Sequence, residues 1–195
     1  MLHRRSLLLA LAATPAFAQG GAWTPLFNGR DMEGFTPVGN ANWRVEDGAL
    51  VADRGTGFLM TTRSFSDFDL RTEVFLDPRT NSGIFIRISD PARIGSATSY
   101  EINLWDERPE QRYGTGAIVD VAAVDPMPRA GGRWNTLEIS ARGEVMSVTL
   151  NGQRTVDGAR HARFRDGPLA LQHAAGVNND DSGVIRFRRL EIRLP

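Results

Sequence analysis

The segment 100–106, with the sequence YEINLWD, holds the residues of this chain that are best suited to chemistry. Residues of a β-strand point alternately to its two faces, so Glu101, Asn103 and Trp105 would share one face. The alternate residues are apolar, which indicates that the opposite face is buried. A carboxylate among apolar neighbours loses hydration, which raises its pKa toward values useful for proton transfer. The segment therefore predicts a polar site on a rigid strand.

A second strand is predicted at residues 81–87, with the sequence NSGIFIR. Its interior is largely apolar, and Arg87 ends it. We expect this strand to lie beside the first, which would bring the Arg87 guanidinium near Glu101. Two interpretations stay open: Arg87 and Glu101 form a buried ion pair that ties the strands together, or both serve the site.

The elements that would position these strands are also extended. Residues 67–76 alternate between apolar and polar types, which is typical of a half-buried strand. The pairs Asp47-Gly48 and Asn151-Gly152 are strong hairpin turn signals, and further strands are predicted at 58–62, 114–121, 134–141, 145–150, 168–173 and 184–194. We expect residues 23–35 to form a turn-rich edge segment. With no convincing amphipathic helix, the pattern predicts an all-β antiparallel sandwich in a single domain.

The N-terminus and the composition narrow the functional classes. Residues 1–18 combine a basic start, a short apolar run and a small-residue cleavage site, which predicts a secretory signal peptide followed by one domain over 19–195. We expect an exported protein, periplasmic or extracellular, without a membrane span. The formal net charge is zero, so there is no excess of positive charge to neutralise nucleic-acid phosphates, and no nucleic-acid partner is expected. The chain has no cysteine, which excludes thiolate chemistry.

Several stretches, taken in order, resemble the bacterial 3-keto-disaccharide hydrolase domain family, long known as a domain of unknown function (DUF1080). The resemblance covers essentially the whole chain from residue 23 onward. The matching residues are 26–31, 43–48, 81–87, 100–103, Asp106, 116–118, 134–135, 151–152, 171–173 and 187–188. The chain has Asn103 where the family usually has glutamine, and its loop 176–183 looks like an insertion.

The resemblance implies a concanavalin A-like jelly roll that acts on glycosides whose C3 hydroxyl has been oxidised to a ketone. Such a ketone acidifies the C2 proton. A base near C2, a cationic or hydrogen-bonding group at the ketone oxygen and an acid for the leaving oxygen would then eliminate the aglycone, and water would add to the enone. A separate sugar 3-dehydrogenase would supply the substrate, because nothing here resembles a dinucleotide site.

Under this resemblance, Glu101 is the candidate base or metal ligand, and Arg87 would hold the enolate oxygen or orient a sugar hydroxyl. His173 is the candidate acid or metal ligand, although a histidine at a strand end is commonly structural. Gln172 is a candidate substrate-binding residue. Gln172 and His173 should point to opposite faces, so we expect only one of them to line the site.

Four further residues complete the candidate substrate-binding set. Asn103 would bind a sugar hydroxyl, and Trp105 could stack on a pyranose ring, with a core role as the alternative for each. Asp106 faces the other way unless the strand is irregular, and it could instead cap the following loop. Arg188 matches a recurrent family arginine but lies on a strand with several solvent-facing arginines.

The sequence leaves alternatives open for the cofactor and for the functional class. No cofactor is certain, and a divalent metal ion is possible. Asp180 and Asp181 lie in an oxygen-rich loop that could bind calcium, although a surface loop is the simpler interpretation. The competing function is a non-catalytic carbohydrate-binding module, because sandwiches also serve as lectin scaffolds.

Overall fold

The computed structural model describes residues 21–176 and 183–195. The predicted signal peptide, Asp180 and Asp181 lie outside this described part. Within it, every regular element is a strand except for one short 3-10 helix, Gln111–Tyr113. In chain order the strands are β1 (Thr24–Pro25), β2 (Phe35–Gly39), β3 (Arg44–Glu46), β4 (Ala49–Ala52), β5 (Gly57–Phe65), β6 (Phe68–Leu76), β7 (Asn81–Ile86), β8 (Tyr100–Leu104), β9 (Arg133–Arg142), β10 (Val145–Leu150), β11 (Gln153–Arg160), β12 (Gly167–Ala174) and β13 (Ile185–Arg193).

The strands form two antiparallel sheets that pack face to face. The larger sheet runs in the order β11-β10-β9-β6-β13-β4-β3, with β1 paired to β13. The smaller sheet runs in the order β2-β5-β12-β7-β8. The predicted all-β sandwich is therefore confirmed. The described part contains no helix that is long and apolar enough to cross a membrane.

Two predicted hairpin turns have the backbone that their sequences require. Asp47 and Gly48 have φ of 50° and 73°, and Asn151 and Gly152 have φ of 51° and 77°. Two successive residues with positive φ make a type I′ turn, whose twist matches that of the flanking strands. The turns connect β3 to β4 and β10 to β11.

Two predictions along the chain were wrong in detail. Residues 35–39 form β2 at the edge of the smaller sheet, where no strand was predicted beyond Phe35. Its alternation is weak, and Pro37 has no N–H to donate, which suits an edge strand. Residues 114–121 form no regular strand and contribute only isolated bridges through Ile118. They still cover the free edge of β8, because Val119 N–H donates to the carbonyl of Glu101 at 3.0 Å.

The smaller sheet carries apolar residues on both faces. Its inward residues, such as Leu59, Ile84 and Ile102, join the main core between the sheets. A second cluster forms on the outward face, where Phe85 and Ala170 are buried although they point away from the main core. Other residues packed in this cluster are Phe58, Met60, Ile88 and Ile94. An outward face covered in this way can carry a desolvated site.

Candidate functional site

The candidate site lies on the outward face of the smaller sheet, which we call the site face. Antiparallel register places its residues in two rows across β8, β7, β12 and β5. The first row is Glu101, Phe85, Ala170 and Met60, and the second row is Asn103, Gly83, Gln172 and Phe58. The sheet thus carries polar groups on β8 and β12 beside an apolar surface.

Glu101 lies in the first row with its carboxyl above Gly83. A Cβ added to Gly83 would stand 3.4 Å from both Cγ and Oε1 of Glu101. Burial raises the pKa of Glu101 from 4.5 to about 7, the nearby charge of Arg108 lowers it in part, and Asp120 raises it further. In the described part of the chain the Glu101 carboxylate has no ion pair. The carboxyl is therefore balanced between its two protonation states at neutral pH.

Four buried polar atoms around Glu101 have no hydrogen-bond partner among the described residues. They are Asn103 Oδ1, Gln172 Oε1, Trp105 Nε1 and Arg108 Nε. The Asn103 amide is held in place, because its Nδ2 donates to the carbonyl of Tyr113 at 2.6 Å. A buried polar atom without a partner costs on the order of 1–3 kcal/mol, so such a group of atoms calls for an explanation. Two acceptors and two donors suit a ligand that bears hydroxyl and carbonyl groups.

The structure corrects the placement of Arg87. Its φ of 54° breaks the strand alternation, and its side chain is only 1% exposed. The guanidinium donates to the carbonyls of Ser66 at 2.9 Å, Gly143 at 2.6 Å and Phe164 at 3.4 Å, and it pairs with Asp67 at 3.1 Å. An ion pair with Glu101, one of the two interpretations left open, is not formed, because Arg87 pairs with Asp67. Arg87 joins three loops, and four of its five N–H donors bond to residues of those loops instead of a ligand on the site face.

His173 also lies away from the site face. It is 1% exposed and points inward from β12. Its Nδ1 lies 2.7 Å from the carbonyl oxygen of Gly55, and its Nε2 lies 3.2 Å from that of Gly183. Gln172 faces the site instead, as the alternation of the strand requires. The candidate acid is therefore on the wrong side of the sheet for Glu101.

Asp106 and Arg188 are placed elsewhere as well. The Asp106 carboxylate accepts bonds from the Thr115 hydroxyl at 2.6 Å and from the N–H groups of Ala130 and Gly131, each at 2.9 Å. It caps the loop that precedes β9, which was the alternative for this residue. Arg188 lies on the larger sheet, where its Nε donates to Glu73 at 2.6 Å. Neither side chain reaches the site face.

Sequence analysis missed one charged residue of the site. Arg108 stacks over the Trp105 ring, with its guanidinium carbon 5.9 Å from the ring centroid. Its charge lowers the pKa of Glu101 more than any other charge does. Arg108 sits in a polar loop with no periodicity, so the only available signal was its distance of three residues from Trp105. The apolar part of the face, Phe58 and Met60, was also not foreseen.

The donor set gives little support for a metal centre formed by acidic and histidine side chains. Over residues 21–176 and 183–195, no group of three or more histidine, cysteine or acidic side chains could hold a metal ion. Near Glu101 the buried oxygens without a partner are the amide oxygens of Asn103 and Gln172, and the exposed carboxylate of Asp120 is close enough for its charge to raise the pKa of Glu101. The chemistry available on the site face is that of the Glu101 carboxylate, one guanidinium and neutral hydrogen-bonding groups.

Comparison with known families gives one match that spans almost the whole described chain. The profile of the 3-keto-alpha-glucoside-1,2-lyase-like domain matches residues 22–193, nearly all of the described chain. The chain belongs to this family. The recognition made from the sequence stretches is therefore confirmed, and this family member has Glu101 and Asn103 on a strand within the matched region.

Solved structures share the fold of this family member. A candidate glycosyl hydrolase from Parabacteroides distasonis has a TM-score of 0.75 at 18% identity, covering 91% of this chain and 95% of its own. The carbohydrate-binding module CBM66 from Bacillus subtilis has a TM-score of 0.63 at 18% identity, covering 82% and 95%. A β-glucanase from Bacillus licheniformis has a TM-score of 0.59 at 10% identity, covering 92% and 100%.

These likenesses establish the jelly-roll sandwich and not the activity, because one fold serves both hydrolases and binding modules. No curated protein matches the sequence of the chain. The family membership and the fold together support a carbohydrate-active protein.

Proposed function

We propose that this protein cleaves 3-keto-glycosides by removing the C2 proton and eliminating the aglycone from C1. The observation that carries the proposal is Glu101, a carboxyl with a pKa of about 7 beside four unpartnered polar atoms. A general base works best when its pKa lies near the working pH. A C2 proton made acidic by an adjacent ketone is a target within reach of such a base.

Elimination begins with proton transfer from C2 to the carboxylate of Glu101. The electron pair of the C–H bond moves into a C2–C3 double bond, and the ketone becomes an enolate. The enolate then collapses: the C3 carbonyl re-forms, a C1–C2 double bond forms, and the aglycone oxygen leaves with the pair of the C1–O bond. Water protonates the leaving oxygen, and addition of water to the enone yields the 3-keto sugar.

The groups around Glu101 would orient the sugar for this step. Asn103 Oδ1 and Gln172 Oε1 can accept hydrogen bonds from sugar hydroxyls, and Trp105 Nε1 can donate one. The apolar surface of Phe58 and Met60, in the same two rows, can contact the carbon face of a ring. Two carboxylates facing each other across the bond, as in an ordinary glycosidase, are not needed.

The cellular setting follows from the same proposal. Residues 1–18 have the pattern of a secretory signal, so we place the reaction outside the cytoplasm, in the periplasm or beyond the cell. The substrate must arrive already oxidised at C3, which requires a separate sugar 3-dehydrogenase upstream.

The test uses purified mature protein with a chromogenic 3-keto-glucoside and with the same glucoside unoxidised. We expect release only from the keto substrate, and we expect Glu101→Gln to abolish it while the thermal unfolding transition stays cooperative. Glu138→Gln, a change of an exposed glutamate on the larger sheet, is the matched control and should keep full activity. A chelator arm tests for a metal. Glycan binding without release from either substrate would favour a binding module instead.

A further inference from the structure

We propose that Arg108 is a catalytic residue that binds the C3 oxygen of the keto sugar and stabilises the enolate. This inference rests on the proposed function and assigns the cationic role for which Arg87 is unavailable. The residue lies three positions beyond Trp105, in the turn that follows β8. That short distance to Trp105 is its only mark in the sequence.

The first argument is that Arg108 has free donors. Its Nε is buried and has no partner, and no described residue accepts a hydrogen bond from its guanidinium. Arginines of the larger sheet differ in this respect: Arg188 and Arg193, for example, donate to Glu73 and Asp69. The residue as a whole is half-buried, but its Nε is buried without an acceptor, which is costly and indicates that a ligand supplies the acceptor.

The second argument is position. The charge of Arg108 acts on Glu101 more strongly than any other charge, yet no ion pair within 4.0 Å joins the two in the described chain. They are therefore close but separate. The base must contact the proton on C2 and the cation must contact the oxygen on C3, which belong to adjacent carbons. A carboxylate and a guanidinium that are near each other without pairing fit this demand.

The third argument is that Arg108 is held in place before a ligand arrives. Its guanidinium lies over the Trp105 ring, and its N–H donates to the Trp105 carbonyl at 3.4 Å. Its own carbonyl accepts a bond from Gln111 Nε2. Asp106 anchors the start of the same turn through the N–H groups before β9. A donor fixed in advance stabilises developing charge without the cost of reorganisation.

The role of Arg108 in the reaction is electrostatic and moves no proton. As the C2 proton passes to Glu101, the electron pair of the carbonyl bond shifts to the C3 oxygen, which becomes negative. The guanidinium donates hydrogen bonds to that oxygen, and these bonds are stronger to the negative enolate oxygen than to the neutral ketone oxygen. When the carbonyl re-forms and the aglycone leaves, the charge leaves the C3 oxygen again.

The test compares Arg108→Gln, Arg108→Lys and Arg108→Ala with Arg112→Gln. Arg112 lies in the same turn region but is exposed and paired with Glu110, so its change is the matched control. We expect Arg108→Gln to lower kcat about 100-fold, which is typical for the loss of one donor to a developing oxyanion. Arg108→Lys should recover part of kcat, and Arg112→Gln should match the wild type.

Two readouts separate catalysis from a structural effect. Added guanidinium ion should restore part of the kcat of Arg108→Ala, which a misfolded site could not show. Loss of the cation should also move the rising limb of the kcat/KM profile to higher pH, because Arg108 lowers the pKa of Glu101. Circular dichroism and thermal unfolding check that each variant is folded.

The outcomes are distinct. A wild-type protein that does not cleave the 3-keto-glucoside refutes the proposed function and the role of Arg108 with it. An active wild type together with an equally active, folded Arg108→Gln refutes only the role of Arg108. If Arg108→Ala loses activity and guanidinium restores none of it while the pH profile stays in place, Arg108 is structural.

Discussion

The raised pKa of Glu101 predicts that replacing this residue by glutamine stabilises the protein, increasingly so as pH rises. In the unfolded chain the carboxyl has its ordinary pKa of 4.5, whereas in the folded protein the pKa is about 7. Between these values the folded protein holds a proton that the unfolded chain has lost. The folded state binds more protons, so the stability of the wild type falls as pH rises through this interval.

The size of the effect follows from the two pKa values. One pKa unit corresponds to about 1.4 kcal/mol, so the interval from 4.5 to about 7 amounts to about 3 kcal/mol. Glutamine is neutral at every pH and escapes this penalty. We expect the stability of Glu101→Gln minus that of the wild type to be small near pH 4, to grow through the interval, and to level off above pH 7.

Urea unfolding of both proteins at half-unit steps from pH 4 to pH 8 measures this difference. All other titrating groups are shared, so their contributions cancel when the two curves are subtracted. Glu138→Gln provides the control, because this glutamate is exposed on the larger sheet, far from the site face. The same urea slope in all proteins would show that the unfolded states are comparable.

A difference curve that stays flat between pH 4 and pH 8 would refute the reasoning. It would mean that Glu101 titrates as an ordinary carboxyl and that the site face is more hydrated than its apolar neighbours indicate. The case for Glu101 as a base adapted to neutral pH would then be lost.

Three further changes test the site and its corrected placements. In Gly83→Ala the new methyl group would stand 3.1 Å from the carbonyl oxygen of Ile102 and 3.4 Å from Oε1 of Glu101. We expect the free energy of unfolding to fall by about 1 kcal/mol and kcat/KM to fall as well. An unchanged kcat/KM would show that the Glu101 carboxyl can move aside without loss of function. Arg87→Gln should lower the free energy of unfolding in urea by about 3 kcal/mol, because three backbone carbonyls lose their donor. Arg188→Gln removes a half-exposed ion pair and should lower it by less than about 1 kcal/mol. Equal losses for the two variants would contradict the structural role of Arg87. Asp106→Asn should lower the free energy of unfolding by about 2 kcal/mol, because the hydrogen bonds to two backbone N–H groups are weakened. We expect KM for the keto substrate to stay unchanged. A raised KM with unchanged stability would instead indicate that Asp106 binds the substrate.

The fold could be predicted because local signals and tertiary structure agree along most of the chain. Residues 68–76 alternate between buried and less buried positions as the sequence pattern indicates. The turns at Asp47-Gly48 and Asn151-Gly152 form because those residues tolerate positive φ. β2 was missed because an edge strand with one proline and little burial has no pattern of its own.

The site could be predicted only where strand alternation holds. Period two placed Glu101 and Asn103 together on β8, and it set Gln172 and His173 on opposite faces of β12. The same rule failed at Arg87, where a positive φ turns the side chain away from the face that alternation assigns. Arg108 lies in a turn, and no local pattern indicates which strand residue a turn side chain will approach.

The balance of costs on the site face favours catalysis over binding alone. A surface that only binds sugar needs hydrogen-bond partners for the sugar hydroxyls and an apolar contact for the ring. Asn103, Gln172 and Phe58 could supply these without any buried ionisable group. Glu101 adds a stability cost of about 3 kcal/mol at neutral pH, a large part of what a domain of this size has to spare. The buried Nε of Arg108, which has no partner, adds to that cost. A carboxyl and a cation that lie close together without an ion pair lower the stability of the free protein. A reaction that removes a proton and develops negative charge on an oxygen needs both groups.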